Sequence, residues 1–155
     1  MIYFLKRSQK LPCTLEDAWS FFSSPRNLEK LTPASINFEI NHCSSETMFP
    51  HQLISYKIGI APFVKVNWLT EITHISKHPS EGYSFIDEQR IGPYKLWHHH
   101  HKFVATENGV NMIDEVAYAL PFGILGTIAH KIWVKKQLEH IFNERAKLSA
   151  KIFNA

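Results

Sequence analysis

Four consecutive histidines, His98 to His101, stand out as residues whose type and spacing could do chemistry. Successive side chains of an extended strand point to opposite faces, so His99 and His101 share one face with Trp97 and Phe103. His98 and His100 fall on the other face with Leu96 and Lys102. Before the Gly92-Pro93 turn the same alternation sets Phe85, Asp87 and Gln89 against Ile86, Glu88 and Arg90. Tyr83 to Phe103 therefore reads as a hairpin that carries acids, an amide, a tryptophan and imidazoles at two-residue spacing. Such spacing lets a sheet line a cavity with a few polar groups in an aromatic wall.

Three chemistries are open to this hairpin. His99 and His101 could offer two imidazoles to a Zn(II) ion, with Asp87 as a third ligand. No HExxH pair, cysteine or third histidine stands at a spacing that compels such a site, so the expectation is no metal and no cofactor. Acid–base chemistry would fall to Asp87 or His99, with Asp114 as a further candidate, because burial in an apolar strand is expected to raise a carboxyl pKa. Ligand orientation is the third: Asp87 and Gln89 could hydrogen-bond His98 or His99 across the hairpin and fix the ring tautomer. Aromatic residues on neighbouring strands would complete the wall. The candidate ligand-binding set is Tyr56, Trp68, Phe85, Asp87, Gln89, Trp97, His99, His101, Asp114 and Tyr118. Each has an ordinary alternative, core packing for the rings and a bulge or solvent-facing pair for Asp114 and Glu115.

These residues need a sheet to position them. Residues 2 to 11 predict a first strand, stopped by Pro12. Thr14 followed by Glu16 and Asp17 predicts a capped helix that buries Ala18, Trp19, Phe21 and Phe22 and ends near Pro25. Asn27 to Leu31 predicts a second short helix. From Ile36 the period changes to two, with Ile36, Phe38 and Ile40 on one face of a half-buried strand. Further strands are expected at 52–58, 65–76, 83–91, 94–106 and 111–120, with turn residues at Gly59 to Pro62, Lys77 to Gly82, Gly92-Pro93 and Glu107 to Gly109. A single helix is predicted from about Gly123 to Ile152, with Ile128, Ile132, Leu138, Ile141, Phe142, Leu148 and Ile152 on its apolar face and lysines and arginines elsewhere.

Composition excludes several function classes. The 155 residues suit one domain, 1–155, and a hydrophobic share of 45% with 20% charged residues is that of a globular chain rather than a disordered or coiled-coil one. A net charge of +3, with no basic segment interleaved with aromatics, gives no support for nucleic-acid binding. Cys13 and Cys43 have no metal-ligand spacing and read as buried thiols of a reducing compartment. The leading MIYFL precedes Lys6 and Arg7, the reverse of a secretion signal, and no apolar run reaches a spanning length. A soluble, cytoplasmic protein without an integral membrane segment is expected.

The order strand, two short helices, antiparallel meander and long terminal helix resembles the SRPBCC superfamily, also called START-like or Bet v 1-like. The residues that carry the resemblance are Trp19 to Leu28 with Leu31 to Pro33, Trp68 to His74, Phe85 to Tyr94, Leu96 to His98 with His101 and Phe103, and Tyr118 to Gly123. They are most similar to bacterial ligand-binding proteins related to the cyclase/dehydrase group. The resemblance implies an α+β helix-grip fold, a curved antiparallel sheet of six to seven strands around the C-terminal helix with two short helices after strand 1. It also implies a small hydrophobic ligand, of lipid, isoprenoid or polyketide-like kind, held between sheet and helix in a cavity of roughly a few hundred Å3. An enzyme of the cyclase, dehydratase or hydrolase type, with Asp87 or His99 as acid–base, is the alternative. A third class, a protein-docking domain, would need a flat exposed sheet, and no protein partner is named by these residues. The apolar segment Ile58 to Phe63 could cover the cavity entrance or touch a membrane.

Overall fold

The computed structural model describes residues 1–61 and 64–154. Strand β1 (Tyr3–Leu11) is followed by α1 (Leu15–Phe22) and α2 (Asn27–Lys30). Thr14 caps α1 as its sequence predicts, its hydroxyl accepting from the Asp17 amide at 3.1 Å. A 3-10 turn, Ala34–Ile36, leads to β2 (Glu39–Cys43). The meander continues through β3 (Leu53–Ala61), β4 (Val64–His78), β5 (Gly82–Ile91), β6 (Leu96–Thr106) and β7 (Gly109–Ala119). The chain then turns into α3 (Gly123–Ala129), a π-helical turn (His130–Val134) and α4 (Lys135–Phe153). All strands pair antiparallel in one sheet of order β1-β7-β6-β5-β4-β3-β2, so the first strand closes onto the last. The architecture is the curved-sheet, α+β helix grip, with both short helices after β1.

Period-two alternation is carried out faithfully where it is long. On β7 Val110, Met112, Asp114, Val116 and Tyr118 are buried in turn, and on β6 His99, His101 and Phe103 are. Helix α1 lies over one end of this inner face, where Trp19 meets Phe85 and Phe103 edge-on at 6.0 and 6.2 Å. A second apolar cluster joins Val116 and Tyr118 of β7 to Val134, Leu138 and Phe142 of the terminal helix.

Three expectations are corrected. The alternation at Ile36, Phe38 and Ile40 does not make one strand, because Asn37 takes the left-handed conformation (φ 48°, ψ 52°) and only Glu39–Cys43 pairs. Asparagine tolerates that conformation better than most residues. The break expected at Gly59 to Pro62 begins later: β3 runs to Ala61, while Pro62 and Phe63, with that part of the apolar segment, lie outside the described residues. Gly59 lets the strand pass close to the 3-10 turn, since a Cβ there would lie 2.8 Å from the Ile36 carbonyl oxygen.

The terminal helix departs from its predicted apolar face. Ile128 and Ile132 are 47% and 70% exposed, and the buried positions are Gly126, His130, Val134, Leu138 and Phe142, spaced by four, and Ser149. A spacing of four drifts around an α-helix of 3.6 residues per turn. The wider π turn takes up that drift and keeps the series on the sheet. No helix among the described residues is long and apolar enough to cross a membrane, and Cys13 and Cys43 are unbridged.

Two measurements test this frame. Gly59→Ala is expected to lower the free energy of unfolding in urea by about 1–3 kcal/mol, because backbone must move to admit the methyl group; an unchanged midpoint would mean that β3 is not held against the 3-10 turn. Glu115 on β7 receives Lys102 from β6 at 2.6 Å and Lys6 from β1 at 2.7 Å, and their hydrogen bonds lower its pKa from 4.5 to about 2. With the folded value below the unfolded one, its stabilisation is present above about pH 4.5 and lost as pH falls towards 2. Glu115→Gln should therefore cost at most about 1 kcal/mol at pH 7, the group being partly exposed, with the difference closing by pH 2.

Candidate functional site

Register brings the hairpin's inner residues together with one from the next strand. Asp87 on β5 lies opposite His99 on β6, and Asp114 on β7 lies opposite His101. The two imidazoles overlap with centroids 3.6 Å apart and a carboxylate on either side. Asp114 Oδ1 accepts from His99 Nε2 at 2.9 Å and lies 3.0 Å from His101 Nδ1. On the opposite flank Asp87 Oδ2 accepts from His101 Nε2 at 2.8 Å and lies 3.4 Å from His99 Nδ1. His99 is 3% exposed, and Phe85 stacks on His101 at 4.1 Å. Trp97 and Phe142 present their rings to His99 at 6.1 and 5.5 Å.

Burial opposes charge on every member of this quartet, and the partners decide which charges survive. For Asp87 burial pushes the pKa up, but the His101 hydrogen bond and the two neighbouring rings reverse it, and the net shift is downward. Asp114 is held well below the usual carboxylate range: burial again pushes up, and hydrogen bonds from His101 and His99 more than offset it. Burial lowers His101 as well, yet bonds to Asp114 and Asp87 leave its pKa raised. His99 goes down, through burial and the proximity of His101, against the pull of both carboxylates. The expectation that burial would raise the acids is thus overturned, because ring donors outweigh desolvation. Both acids are thus held as carboxylates, and of the two rings His101 takes a proton more readily than His99.

A cavity of about 180 Å3 opens above this floor, between the sheet and α4. Tyr56, Trp68, Phe85, Asp87, Trp97, His99 and His101 line it, as do Tyr94, Leu138, Phe142 and Arg145. Gln89, Asp114 and Tyr118 are not among its lining residues. Gln89 clamps the hairpin turn instead, donating to the Tyr94 carbonyl at 2.6 Å and accepting from the Tyr94 amide at 3.1 Å. Asp114 stands behind the rings, and Tyr118 bonds His130 Nε2 at 2.9 Å in the second apolar cluster. Across the hairpin Glu88, on the outer face, is what pairs with His98, at 2.8 Å. The hydroxyl of Tyr56 and the indole N–H of Trp68 both end on Thr70, at 2.9 and 3.0 Å, so the wall they form is apolar towards the cavity.

Arg145 is the functional candidate that the sequence reading missed. Half-buried on α4, it reaches the cavity, forms no ion pair among the described residues and lowers the pKa of Asp87 through space. Its signal was its place four residues after Ile141 and three after Phe142, on the apolar side of the helix.

No protein-family model matches this chain, and no curated protein matches it in sequence. Solved structures do. A norcoclaurine synthase point mutant from Thalictrum flavum, in complex with a transition-state analogue, superposes with a TM-score of 0.68 at 11% identity, covering 97% of this chain and 96% of that one. Protein CV1439 from Chromobacterium violaceum gives 0.70 at 10% identity, over 98% and 97% of the two chains. Ara h 8.0201 gives 0.55 at 14% identity, over 96% and 98%. The chain shares the Bet v 1-like helix-grip fold of these structures.

The quartet's energetics are open to direct test. Asp114→Asn removes a buried carboxylate that both rings face and should lower the urea-unfolding free energy by about 3–5 kcal/mol. His98→Ala, which removes a partly exposed pair, should cost no more than about 1 kcal/mol. Equal losses in the two variants would contradict the burial assigned to the inner pair.

Proposed function

We propose that this chain binds a small, largely apolar molecule between the sheet and α4, with a polar or anionic end turned to the quartet and Arg145. The observation that carries this reading is the composition of the cavity: aromatic and aliphatic walls, a buried hydrogen-bonding floor and a guanidinium that has no carboxylate partner among the described residues. Few convergent polar groups in an apolar cleft are the usual make-up of a small-molecule site. Volume narrows the ligand class. Drug-sized pockets run to roughly 300–1,000 Å3, and a dry cavity of ~150 Å3 holds one benzene ring. At about 180 Å3 this space takes a single ring or a short branched segment, and a longer isoprenoid, lipid or polyketide-like chain would have to extend beyond it.

An enzyme of the cyclase, dehydratase or hydrolase type is the second reading, supported by a neutral imidazole, His99, at the cavity wall. Asp87, held ionised and hydrogen-bonded to His101, is the poorer base of the two candidates. A synthase of the same fold, from Thalictrum flavum, is consistent with it but is too distant in sequence to lend its reaction to this chain.

Trp68 and Trp97 face the cavity and report on its contents. Titration with benzoate is expected to change their emission saturably, and Arg145→Gln should weaken benzoate at least about tenfold while leaving benzyl alcohol nearly unaffected. Neither probe binding, together with an organic extract of the purified protein that holds no small molecule, would reduce the cavity to a packing feature.

A further inference from the structure

We propose that Asp87, His99 and His101 form a binding site for one divalent transition-metal ion of the zinc class, with Asp114 as the carboxylate that positions both imidazoles. The ligand atoms converge. Asp87 Oδ2 lies 2.8 Å from His101 Nε2 and 3.4 Å from His99 Nδ1, and one atom from each residue can be chosen within 4.8 Å of the others. An ion with bonds of ~2.0–2.2 Å separates neighbouring ligand atoms by about 2.9–3.5 Å, close to the two Asp87 edges, and the edge between the rings lies within 4.8 Å.

The orientation of the two rings agrees with this. His99 uses Nε2, and His101 turns Nδ1, towards Asp114; the remaining nitrogen of each ring faces Asp87. Metal-bound histidines are commonly held in this way, one nitrogen on the metal and the other N–H given to a carboxylate. Once His99 donates from Nε2, its Nδ1 is a lone pair facing the Asp87 carboxylate 3.4 Å away. Two buried acceptors facing each other are unfavourable, and a cation between them removes the conflict. His101 Nδ1 is itself buried without a well-aligned hydrogen-bond partner, although Asp114 Oδ1 is only 3.0 Å away. Ligation through Nε2 would displace the proton that Nε2 gives to Asp87, releasing it to solvent, and leave Nδ1–H as the donor to Asp114.

The site is also open to the cavity. Asp87, His99 and His101 line the cavity and Asp114 does not, so coordination positions left over by the protein face the cavity. Three protein ligands with an open position mark a metal that meets a ligand or water, unlike a closed structural site. The proposal shares the cavity with the binding reading above but does not depend on it, since metal uptake is measured with no organic molecule present.

The tetra-His run supplies the control. Untagged protein, purified without a metal-affinity step and stripped with chelator, is titrated with Zn2+ by calorimetry and with Co2+ by visible absorption. One ion per chain is expected. The inner-face double variant His99→Ala/His101→Ala should lose it, and the outer-face variant His98→Ala/His100→Ala should keep it. Asp114→Asn should retain the stoichiometry with affinity reduced about 10- to 100-fold. Because the inner-face variant removes buried polar groups and can fail to fold, Asp87→Cys gives an independent reading: a thiolate-to-cobalt charge-transfer band that no structural role would produce. Absence of uptake by the unsubstituted chain, uptake that vanishes only with the outer-face pair, or a folded Asp87→Cys protein without the band would each overturn the assignment.

Discussion

Two carboxylates and two closely apposed imidazoles buried in the middle of a sheet make a constraint that the rest of this structure has to satisfy. Charges removed from water cost several kcal/mol each unless partners recover it, and here each acid is bonded by a ring that a neighbouring strand delivers. The arrangement therefore depends on the register of β5, β6 and β7 together. A one-residue slip of β6 would set His98 and His100 against the acids in place of His99 and His101, but it would also turn Lys102 inward in place of Phe103 and Leu96 in place of Trp97. Aromatic packing on both sides opposes such a slip, with Phe85 stacked on His101 and Trp97 and Phe142 around His99. The hairpin turn is fixed as well, through the Gln89 clamp on Tyr94, and Gly92 leaves room for that side chain.

The terminal helix answers to the same sheet. Its buried series at spacing four passes through His130, which stacks on Tyr3 at 3.4 Å and meets the Tyr118 hydroxyl, tying the helix to both β1 and β7. Holding that series on one face requires the π turn, and the consequence is visible on the other side. Ile124, Leu125 and Ile132, apolar by sequence, are left in solvent. Farther along, α4 places Leu138, Phe142 and Arg145 over the cavity, so the element that closes the core also provides the cavity's cation.

The fold by itself assigns no reaction, because one architecture serves many chemistries. What distinguishes this chain is the contrast between an apolar wall and a charged, water-poor floor. Burial lowers the pKa of His99 there while the two carboxylates raise that of His101, so two rings of the same residue type a few ångströms apart differ in how readily they take a proton.

Much of this was legible in the sequence, and the residues show why. Alternation at period two decides which side chains share a face, so Phe85, Asp87, Trp97, His99 and His101 could be grouped from local spacing alone, and the strand–helix–meander–helix order was enough for the fold. Spacing within a strand does not say which residue of the next strand lies opposite. Gln89 turned out to serve the turn, and Asp114 to stand behind the rings rather than in the cavity, because both depend on pairing that only the assembled sheet defines. The downward shifts of Asp87 and Asp114 follow from those same partners, where composition suggested the opposite sign. Helix phase was the other blind point: a heptad-like reading placed Ile128 and Ile132 inside, and the π turn put Gly126 and His130 there instead, since a local change of pitch answers to the surface against which the helix packs. The chain by itself determined its faces and its element order; register, helix phase and the charge state of the buried quartet were decided by contacts between residues far apart in sequence.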